Sequence, residues 1–241
     1  MKKLYFLLIA LCLFTSTKAQ IVNIPDVKFK AALLRASPAN TVAKDLSGNY
    51  FRIDANRDRE IQISEALAVS SLFVSSQIND LTGISSFTNL TSLECFRNEL
   101  TSLDVTSLIN LTNLNCSQNQ LTSLDLTPLV NLISLRCDGN EFISLDVSPL
   151  KNLTLFACSN NELSSIDLTT LVNLTELHCS SNRLTTLELK SLVNLINFDC
   201  SLNQIVSLNL APLVNLKSLY CSGNRINSLN VTSLDNLQYI A

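Results

Sequence analysis

The sequence predicts a mostly β protein, a parallel solenoid that begins with a small α-helical N-terminal cap. Two observations predict this fold. The first is a 21-residue internal repeat that runs without slippage from about residue 90 to residue 241. The second is that each repeat holds two short segments in which apolar and polar residues alternate, a pattern typical of half-buried strands. A repeat of this length forms one turn of a coil, and neighbouring turns complete its core.

Each repeat carries the same residue types at the same positions. The unit reads L-x-x-L-x-C-x-x-N-x-L-x-S-L-D-L-x-x-L-x-N. Its cysteine column consists of Cys95, Cys116, Cys137, Cys158, Cys179, Cys200 and Cys221. Its asparagine column follows three residues later and consists of Asn98, Asn119, Asn140, Asn161, Asn182, Asn203 and Asn224. Seven such units exclude a chance pattern.

The unit resembles the L-x-x-L-x-L-x-x-N-x-L signature of leucine-rich repeats, with cysteine in the third apolar position. It is most similar to the secreted, internalin-like bacterial members, and the resemblance covers about residues 90–241. The resemblance implies a leucine-rich-repeat parallel solenoid and a role in adhesion or in host and community interaction. The unit departs from the signature in a second alternating segment, as in Leu124-Asp125-Leu126. That segment predicts a second strand on the opposite side of a flattened coil.

The cysteine column could serve as disulfides, metal ligands, nucleophiles or small apolar side chains. Alternation along a strand points leucine and cysteine inward and the residue between them outward, so the cysteines predict a buried ladder. An odd number of rungs disfavours pairing, zinc sites usually need C-x-x-C spacing, and the single histidine, His178, points outward. We therefore expect free cysteines that pack as core. The stacked asparagines are expected to bond the turn backbone.

The first 19 residues predict a secretory signal peptide. Lys2 and Lys3 precede an apolar run from Leu4 to Phe14 that is too short to span a bilayer, and small residues favour cleavage near Ala19. Removal of this segment takes away three of the 17 basic and none of the 20 acidic residues, which leaves a net charge of 14 − 20 = −6. We expect a secreted or cell-surface protein with no membrane insertion and no nucleic-acid partner.

The rest of the chain is predicted to form two parts. Residues 20–68 lack the repeat and form an N-terminal cap that covers the first open edge of the solenoid. One amphipathic helix is predicted in the cap, with Phe29, Leu33 and Leu34 on its apolar face. Residues 69–241 form the solenoid, with a degenerate first turn, seven regular repeats and a truncated eighth.

The cap contains a segment, DANRDREIQISE, that resembles the calcium-binding EF-hand loop D-x-[DN]-x-[DN]-G-x5-E. The resemblance implies three side-chain oxygen ligands, one carbonyl ligand and one bidentate carboxylate, in the order Asp54, Asn56, Asp58, Glu60 and Glu65. Arg59 departs from the motif, because it replaces the glycine that allows a sharp turn. The alternative is an acidic turn that caps a helix beginning at Ile63. One structural Ca²⁺ is the only cofactor that the sequence suggests.

The outward positions of the repeat differ in how much they vary. The position between leucine and cysteine changes in every turn and reads Glu94, Asn115, Arg136, Ala157, His178, Asp199, Tyr220. Two residues on, the column begins with Phe96, Ser117 and Asp138 and continues with serine. The outward column of the second segment is nearly uniform and reads Asp104, Asp125, Asp146, Asp167, Glu188, Asn209, Asn230. A uniform column indicates chemistry that the fold requires, whereas a varied column is free for recognition.

The varied side is therefore the predicted partner-binding face, and its candidate residues are Glu94, Phe96, Asn115, Arg136, Asp138, His178, Asp199 and Tyr220. We expect a non-catalytic module that binds an extracellular protein or glycan. A structural spacer or accessory domain of a larger surface protein is the first alternative. Residues on a solvent-exposed face also vary by neutral drift, so variety alone does not prove recognition. A hydrolase is the second: Glu176, His178 and Asp199 stand on adjacent turns, but no nucleophile accompanies them.

The uniform acidic column also needs a physical explanation. Carboxylates about 5 Å apart repel each other by roughly 0.8 kcal/mol in water. Hydroxyl residues follow the first four acids by two positions, beginning with Thr106, and are expected to relieve this repulsion by hydrogen bonding. Weak binding of cations along the column is the alternative.

Overall fold

The structure is a computed structural model that describes residues 20–75 and 77–241. The predicted signal peptide and its cleavage site lie outside these residues. The described chain is mostly β, because ten strands form one sheet in chain order and only short helices accompany them. The helices are α1 (Val27–Leu34), α2 (Ile63–Ala66) and a 3₁₀ turn (Ile84–Ser86).

The ten strands follow the repeat from the cap to the end of the chain. They are β1 (Ala43–Asp45), β2 (Val69–Phe73), β3 (Ser92–Glu94), β4 (Asn113–Asn115), β5 (Ser134–Arg136), β6 (Leu155–Ala157), β7 (Glu176–His178), β8 (Asn197–Asp199), β9 (Ser218–Tyr220) and β10 (Tyr239–Ile240). β1 pairs with β2 antiparallel and covers the first edge of the sheet. All pairs from β2 to β10 are parallel.

Each strand lies in register with the equivalent strand of the next repeat. Leu93 pairs with Leu114, and Leu114 pairs with Leu135, so that identical positions stack on one another. These leucines are buried, as the alternation within each strand predicts. The parallel β-solenoid with one turn per repeat is thereby confirmed.

The prediction of a second strand in each repeat is wrong. Within the described residues, the segment Leu124–Leu126 and its equivalents form no strand and no backbone hydrogen bonds to the neighbouring turns. The reason is that this segment satisfies its backbone locally. Oδ1 of Asp125 accepts the N–H of Thr127 at 2.9 Å, and the Leu126 carbonyl accepts the N–H of Leu129 at 3.0 Å. The chain is therefore committed to a turn where the alternating pattern alone predicts a strand.

The cysteine ladder is part of the core. None of the seven cysteines in the described residues forms a disulfide; the first six are fully buried and Cys221 is half-buried. Burial raises the pKa of the Cys116 thiol to about 12 and the pKa of Cys158 well above its ordinary value. A thiol whose ionised form is so disfavoured is a poor nucleophile and a poor metal ligand. The prediction of free core cysteines is confirmed.

The asparagine ladder ties consecutive turns together through the backbone. Asn161, the fourth rung counted from the cap, shows the pattern that its neighbours share. Its Nδ2 donates to the carbonyl of Cys158 in its own turn at 3.0 Å and to the carbonyl of Cys137 in the preceding turn at 3.1 Å. Its Oδ1 accepts the N–H of Phe142 at 3.2 Å. The predicted backbone role of the asparagines is confirmed.

One carboxylate joins the cap to the solenoid. Oδ1 of Asp26 caps α1 by accepting the N–H groups of Lys28 and Phe29 at 2.8 and 2.9 Å. Its Oδ2 accepts the N–H groups of Asn79 and Asp80, in the first turn, at 2.9 and 3.1 Å. Burial raises the pKa of Asp26, but these four hydrogen bonds outweigh it, and the pKa lies below its ordinary value. The predicted cap helix is present, with Phe29 fully buried beneath it.

Candidate functional site

The predicted recognition residues lie on one face of the parallel sheet, which we call the strand face. Six of them form its central column, one per strand: Glu94, Asn115, Arg136, His178, Asp199 and Tyr220. In-register pairing places each beside the equivalent residue of the next turn. Phe96 and Asp138 lie in the column two residues further on. The strand face is therefore a continuous surface across all the repeats.

The structure divides the strand face into side chains that bond the protein and side chains that do not. Nδ2 of Asn115 donates to Oε2 of Glu94 at 2.9 Å. Oδ1 of Asp138 accepts the N–H of Ser159 at 2.9 Å, and Oδ1 of Asp199 accepts the N–H of Ser201 at 2.9 Å. The first two hydrogen bonds join neighbouring turns, and the third lies within the turn of Asp199.

Arg136 and Tyr220 are the exposed members of the central column, with Tyr220 40% exposed. Between them, Ala157 is only 2% exposed, although its side chain occupies an outward position. Ala157 pairs in register with Arg136 and His178, and its methyl group is covered rather than open to solvent. A varied column at the sequence level thus becomes an uneven surface.

Aromatic pairs mark both ends of the strand face. The ring centroids of Phe73 and Phe96 are 5.6 Å apart, edge to face, and those of Tyr220 and Tyr239 are 5.0 Å apart. Sequence reasoning missed Phe73 and Tyr239. Tyr239 belongs to a third outward column, two residues before the central one, which also varies and includes Leu155 and Glu176. A comparison of that column among the repeats would have found it.

The candidate hydrolase residues lie on the open face of the sheet; they are Glu176, His178 and Asp199. Nε2 of His178 is 3.8 Å from Oε2 of Glu176, and both side chains are more than a third exposed. Asp199 pairs in register with His178, but its Oδ1 accepts a backbone N–H. None of these three residues lines any of five clefts found within residues 20–75 and 77–241, whose volumes are about 170–530 Å³. The trio has neither a nucleophile in contact nor a concave site around it.

The carboxylates of the acidic column on the opposite side accept hydrogen bonds within their own turns. Oδ1 of Asp104 accepts both the hydroxyl of Thr106, at 2.6 Å, and its N–H, at 3.0 Å. These two hydrogen bonds lower the pKa of Asp104. The pKa values of the next three acids are also lowered by bonds from the residue two positions on: Asp125, Asp146 and Asp167. The predicted relief by hydroxyl residues is confirmed. Asn209 and Asn230 accept the same N–H bond in the last turns.

These lowered pKa values predict how stability depends on pH. A carboxyl whose pKa is lower in the folded state stabilises the fold above about pH 4 and loses that contribution as the pH falls through the folded pKa. Replacement of Asp104, Asp125, Asp146 and Asp167 by asparagine should keep the turns, as Asn209 does, and should make the loss of stability below pH 4 shallower. Urea unfolding at pH 7 and pH 3 measures this. An equally steep loss in the fourfold variant would contradict the assignment.

The EF-hand-like loop has a left-handed residue at the position where the motif has glycine. Arg59 adopts the left-handed conformation at φ 68°, as does Arg57 at φ 62°. The N–H of Arg59 donates to Oδ2 of Asp54 at 3.3 Å. Oδ1 of Asp54 has no hydrogen-bond partner, although Asp54 is only 5% exposed. The carbonyl of Ile61 accepts the N–H of Val22 at 2.8 Å, so the loop is closed against the start of the described chain.

The other predicted calcium ligands are held by hydrogen bonds within the loop. Oε1 and Oε2 of Glu65 accept the N–H groups of Ala55 and Gln62 at 2.7 and 3.0 Å. Oδ1 of Asn56 accepts the N–H of Asp58 at 3.0 Å.

A hydrogen bond from the N–H of Glu60 lowers the pKa of Asp58. The carboxylate of Glu60 forms an ion pair with Lys30, with 2.6 Å between Nζ and Oε2. Among the described residues, no three carboxylate, imidazole or thiol groups converge closely enough to hold a metal by themselves. α2 begins at Ile63, so the expected helix start is also present.

The comparisons with known proteins concern the fold. No protein-family model and no curated protein matches the chain. The functional domain of InlJ from Listeria monocytogenes, which includes a cysteine ladder, is 28% identical with a TM-score of 0.49, and the match covers 92% of this chain and 56% of that one. The chain thus spans little more than half of the InlJ domain.

Internalin C2 from Listeria monocytogenes is 22% identical with a TM-score of 0.70, over 92% of this chain and 96% of that one. The ectodomain of the receptor kinase GASSHO1/SCHENGEN3 from Arabidopsis thaliana, in complex with CASPARIAN STRIP INTEGRITY FACTOR 2, is 20% identical with a TM-score of 0.59, over 66% and 22%. The chain therefore has the leucine-rich-repeat fold that internalin structures also have.

No helix among the described residues is long and apolar enough to cross a membrane.

Proposed function

We propose that this chain is a non-catalytic recognition module, secreted or held at the cell surface, that binds an extracellular protein or glycan through the strand face. One observation carries the proposal. The carboxylates of the opposite column accept hydrogen bonds from their own turns, whereas Arg136 and Tyr220 on the strand face are exposed. Arginine and tyrosine are residue types that often anchor interfaces.

The fold and the start of the chain support the proposal. The Arabidopsis ectodomain was determined in complex with another protein, so a leucine-rich-repeat surface can hold a partner. Parallel solenoids present extended surfaces of this kind. We also propose that residues 1–19 are a signal peptide cleaved near Ala19, that residues 20–68 are the cap, and that residues 69–241 are the solenoid.

The experiment compares what the two faces capture. The full chain is immobilised, challenged with extracellular extracts and protein-free glycan fractions, and compared with two variants. Arg136→Ala with Tyr220→Ala alters the strand face, and Asp125→Asn with Asp167→Asn alters the opposite side while keeping its turns. Arg136→Ala should change the free energy of unfolding by less than about 0.5 kcal/mol, because the side chain is exposed.

We expect material captured by the unmodified chain to be lost from the strand-face variant and retained by the opposite-side variant, with capture reduced by roughly tenfold. Loss from the opposite-side variant alone would mean that the wrong face was chosen. Capture of nothing by the unmodified chain would favour the structural spacer.

We further propose that the cap loop binds one Ca²⁺ as a structural clip. The residues that would hold it are Asp54, Asn56, Asp58, Glu60, through its carbonyl, and Glu65. The free buried oxygen of Asp54 supports this proposal, because a buried carboxylate oxygen without a partner is costly and a cation would satisfy it. The left-handed backbone at the glycine position supports it as well.

Calcium bound only by the folded state should stabilise the chain by about 1.4 kcal/mol at ten times its dissociation constant. Thermal unfolding in calcium and in chelator measures this difference. Glu65→Gln should abolish it, and Asp125→Asn should retain it. Identical unfolding curves for the unmodified chain in calcium and in chelator would end the proposal.

A further inference from the structure

A cleft in the cap is lined mainly by arginine. Its volume is about 490 Å³, and its lining residues are Ala31, Leu34, Arg35, Arg52, Asp54, Arg57 and Arg59. Three elements form it: one side of α1, the segment after β1, and the tip of the EF-hand-like loop. Four guanidinium groups and one carboxylate give the lining a formal charge of 4 − 1 = +3. Such a concentration of one charge needs an explanation in an acidic protein.

Three of the four arginines that line the cleft form no ion pair within the described residues. Among residues 20–75 and 77–241, the three ion pairs involve Lys30, His178 and Arg183, and none involves Arg52, Arg57 or Arg59. Residues 20–68 carry seven basic and six acidic residues, whereas residues 69–241 carry seven and fourteen. Basic charge is therefore concentrated in the cap, and three of the cap's arginines without an ion pair line one cleft.

The backbone at the loop tip does not explain why arginine is present. Arg57 and Arg59 both adopt left-handed φ angles, which cost a side chain roughly 1 kcal/mol and which glycine adopts freely. In the repeats the left-handed position is glycine in two turns, Gly139 and Gly223, and another residue type in five turns, so a side chain at such a position is common in this chain. At the loop tip, arginine stands at both strained positions and lines the cleft.

We propose that this cleft binds an oxyanion, a carboxylate, sulfate or phosphate group carried by a small ligand or by an acidic saccharide. The planar fork of a guanidinium matches all three groups with two parallel hydrogen bonds. The cleft lies within the size range of small-ligand sites, about 300–1,000 Å³. Ala31 and Leu34 supply an apolar wall that a bare ion would not contact, so an organic carrier makes the larger number of contacts.

The strained arginines allow a sharp test. Arg57→Gly with Arg59→Gly removes two charges and relaxes two left-handed positions, so this variant should fold at least as stably as the unmodified chain. Arg97→Gly is the matched control, because Arg97 is also left-handed, at φ 56°, but lies in the repeats away from the cleft. Titration calorimetry in chelator uses four probes: inorganic phosphate, inorganic sulfate, an oligogalacturonate and a neutral oligosaccharide of the same length.

We expect the full chain to bind at least one of the anionic probes and not the neutral one. The double variant should bind it at least tenfold more weakly, since each lost charged hydrogen bond is worth about 1.5 kcal/mol or more. Arg97→Gly should bind as the unmodified chain does. Tighter binding of oligogalacturonate identifies a saccharide, and equal binding of the inorganic ions identifies a free oxyanion. Unchanged binding by the double variant, or no binding of any anionic probe, would overturn the proposal.

Discussion

Replacement of Asn161 by alanine should destabilise the chain by about 3–4 kcal/mol, the largest effect of any single change that we consider. The N–H of Phe142 would lose its acceptor inside the core, which costs roughly 1–3 kcal/mol. The carbonyl groups of Cys137 and Cys158 would each lose one of two asparagine donors and keep the other, from Asn140 and Asn182. These losses add to the gap left by the side chain.

Urea unfolding measures the effect of Asn161→Ala, and the chain offers a matched control. Asn152 also donates its side-chain amide to a carbonyl of the preceding turn, that of Val130, at 3.1 Å, but it is exposed to solvent. Asn152→Ala should cost less than about 1 kcal/mol, because water replaces the lost bond. Equal costs for the two variants would show that the buried ladder does not hold the turns together.

Replacement of Cys158 by serine should destabilise the chain by about 2 kcal/mol, although the two side chains differ by one atom. Cys158 is fully buried, and a hydroxyl is more costly than a thiol to bury without a partner. Cys158→Ala removes the sulfur without adding a polar group, and it should cost about 1 kcal/mol.

The half-buried rung at Cys221 is the control for this change. Cys221→Ser should be nearly neutral, because solvent reaches the position and can bond the hydroxyl. A Cys158→Ser variant that is as stable as the unmodified chain would mean that the ladder is not an apolar core. The two comparisons together separate the effect of burial from the effect of residue type.

The repeat made most of the fold predictable because the same chemistry recurs at the same place in every turn. The buried cysteine column followed from alternation, and the backbone role of the asparagine column followed from the ability of an amide to donate and accept; both are correct in the structure. The opposite strand was not, because alternation in Leu124–Leu126 does not show that Asp125 will take up the N–H two residues on. Side-chain bonding to the local backbone competes with strand pairing, and a pattern of apolar residues carries no information about which prevails.

Features that depend on distant segments were beyond sequence reasoning. The short strand β1 has little strand character of its own and exists because it pairs with β2, more than 20 residues later. Leu155, Tyr239 and Phe73 join the strand face only when turns are stacked. The arginine cleft brings together Arg35 and Arg59, which no local motif connects. The candidate face could be predicted as a column, but its exposure, its aromatic ends and the burial of Ala157 could not.

The repeated cysteine and asparagine columns form the buried core and the bonds between turns. The accessibility of the cysteine thiols tests this most directly. Thiol groups are counted with a chromogenic reagent in fresh protein, native and then denatured without reductant. We expect almost no reaction in the native state, apart from slow reaction at the half-buried Cys221, and reaction of all seven ladder thiols after denaturation. Reaction of five or fewer after denaturation would show disulfides, and rapid reaction of several in the native state would show an exposed ladder. Either result would contradict a core ladder of buried, free cysteines.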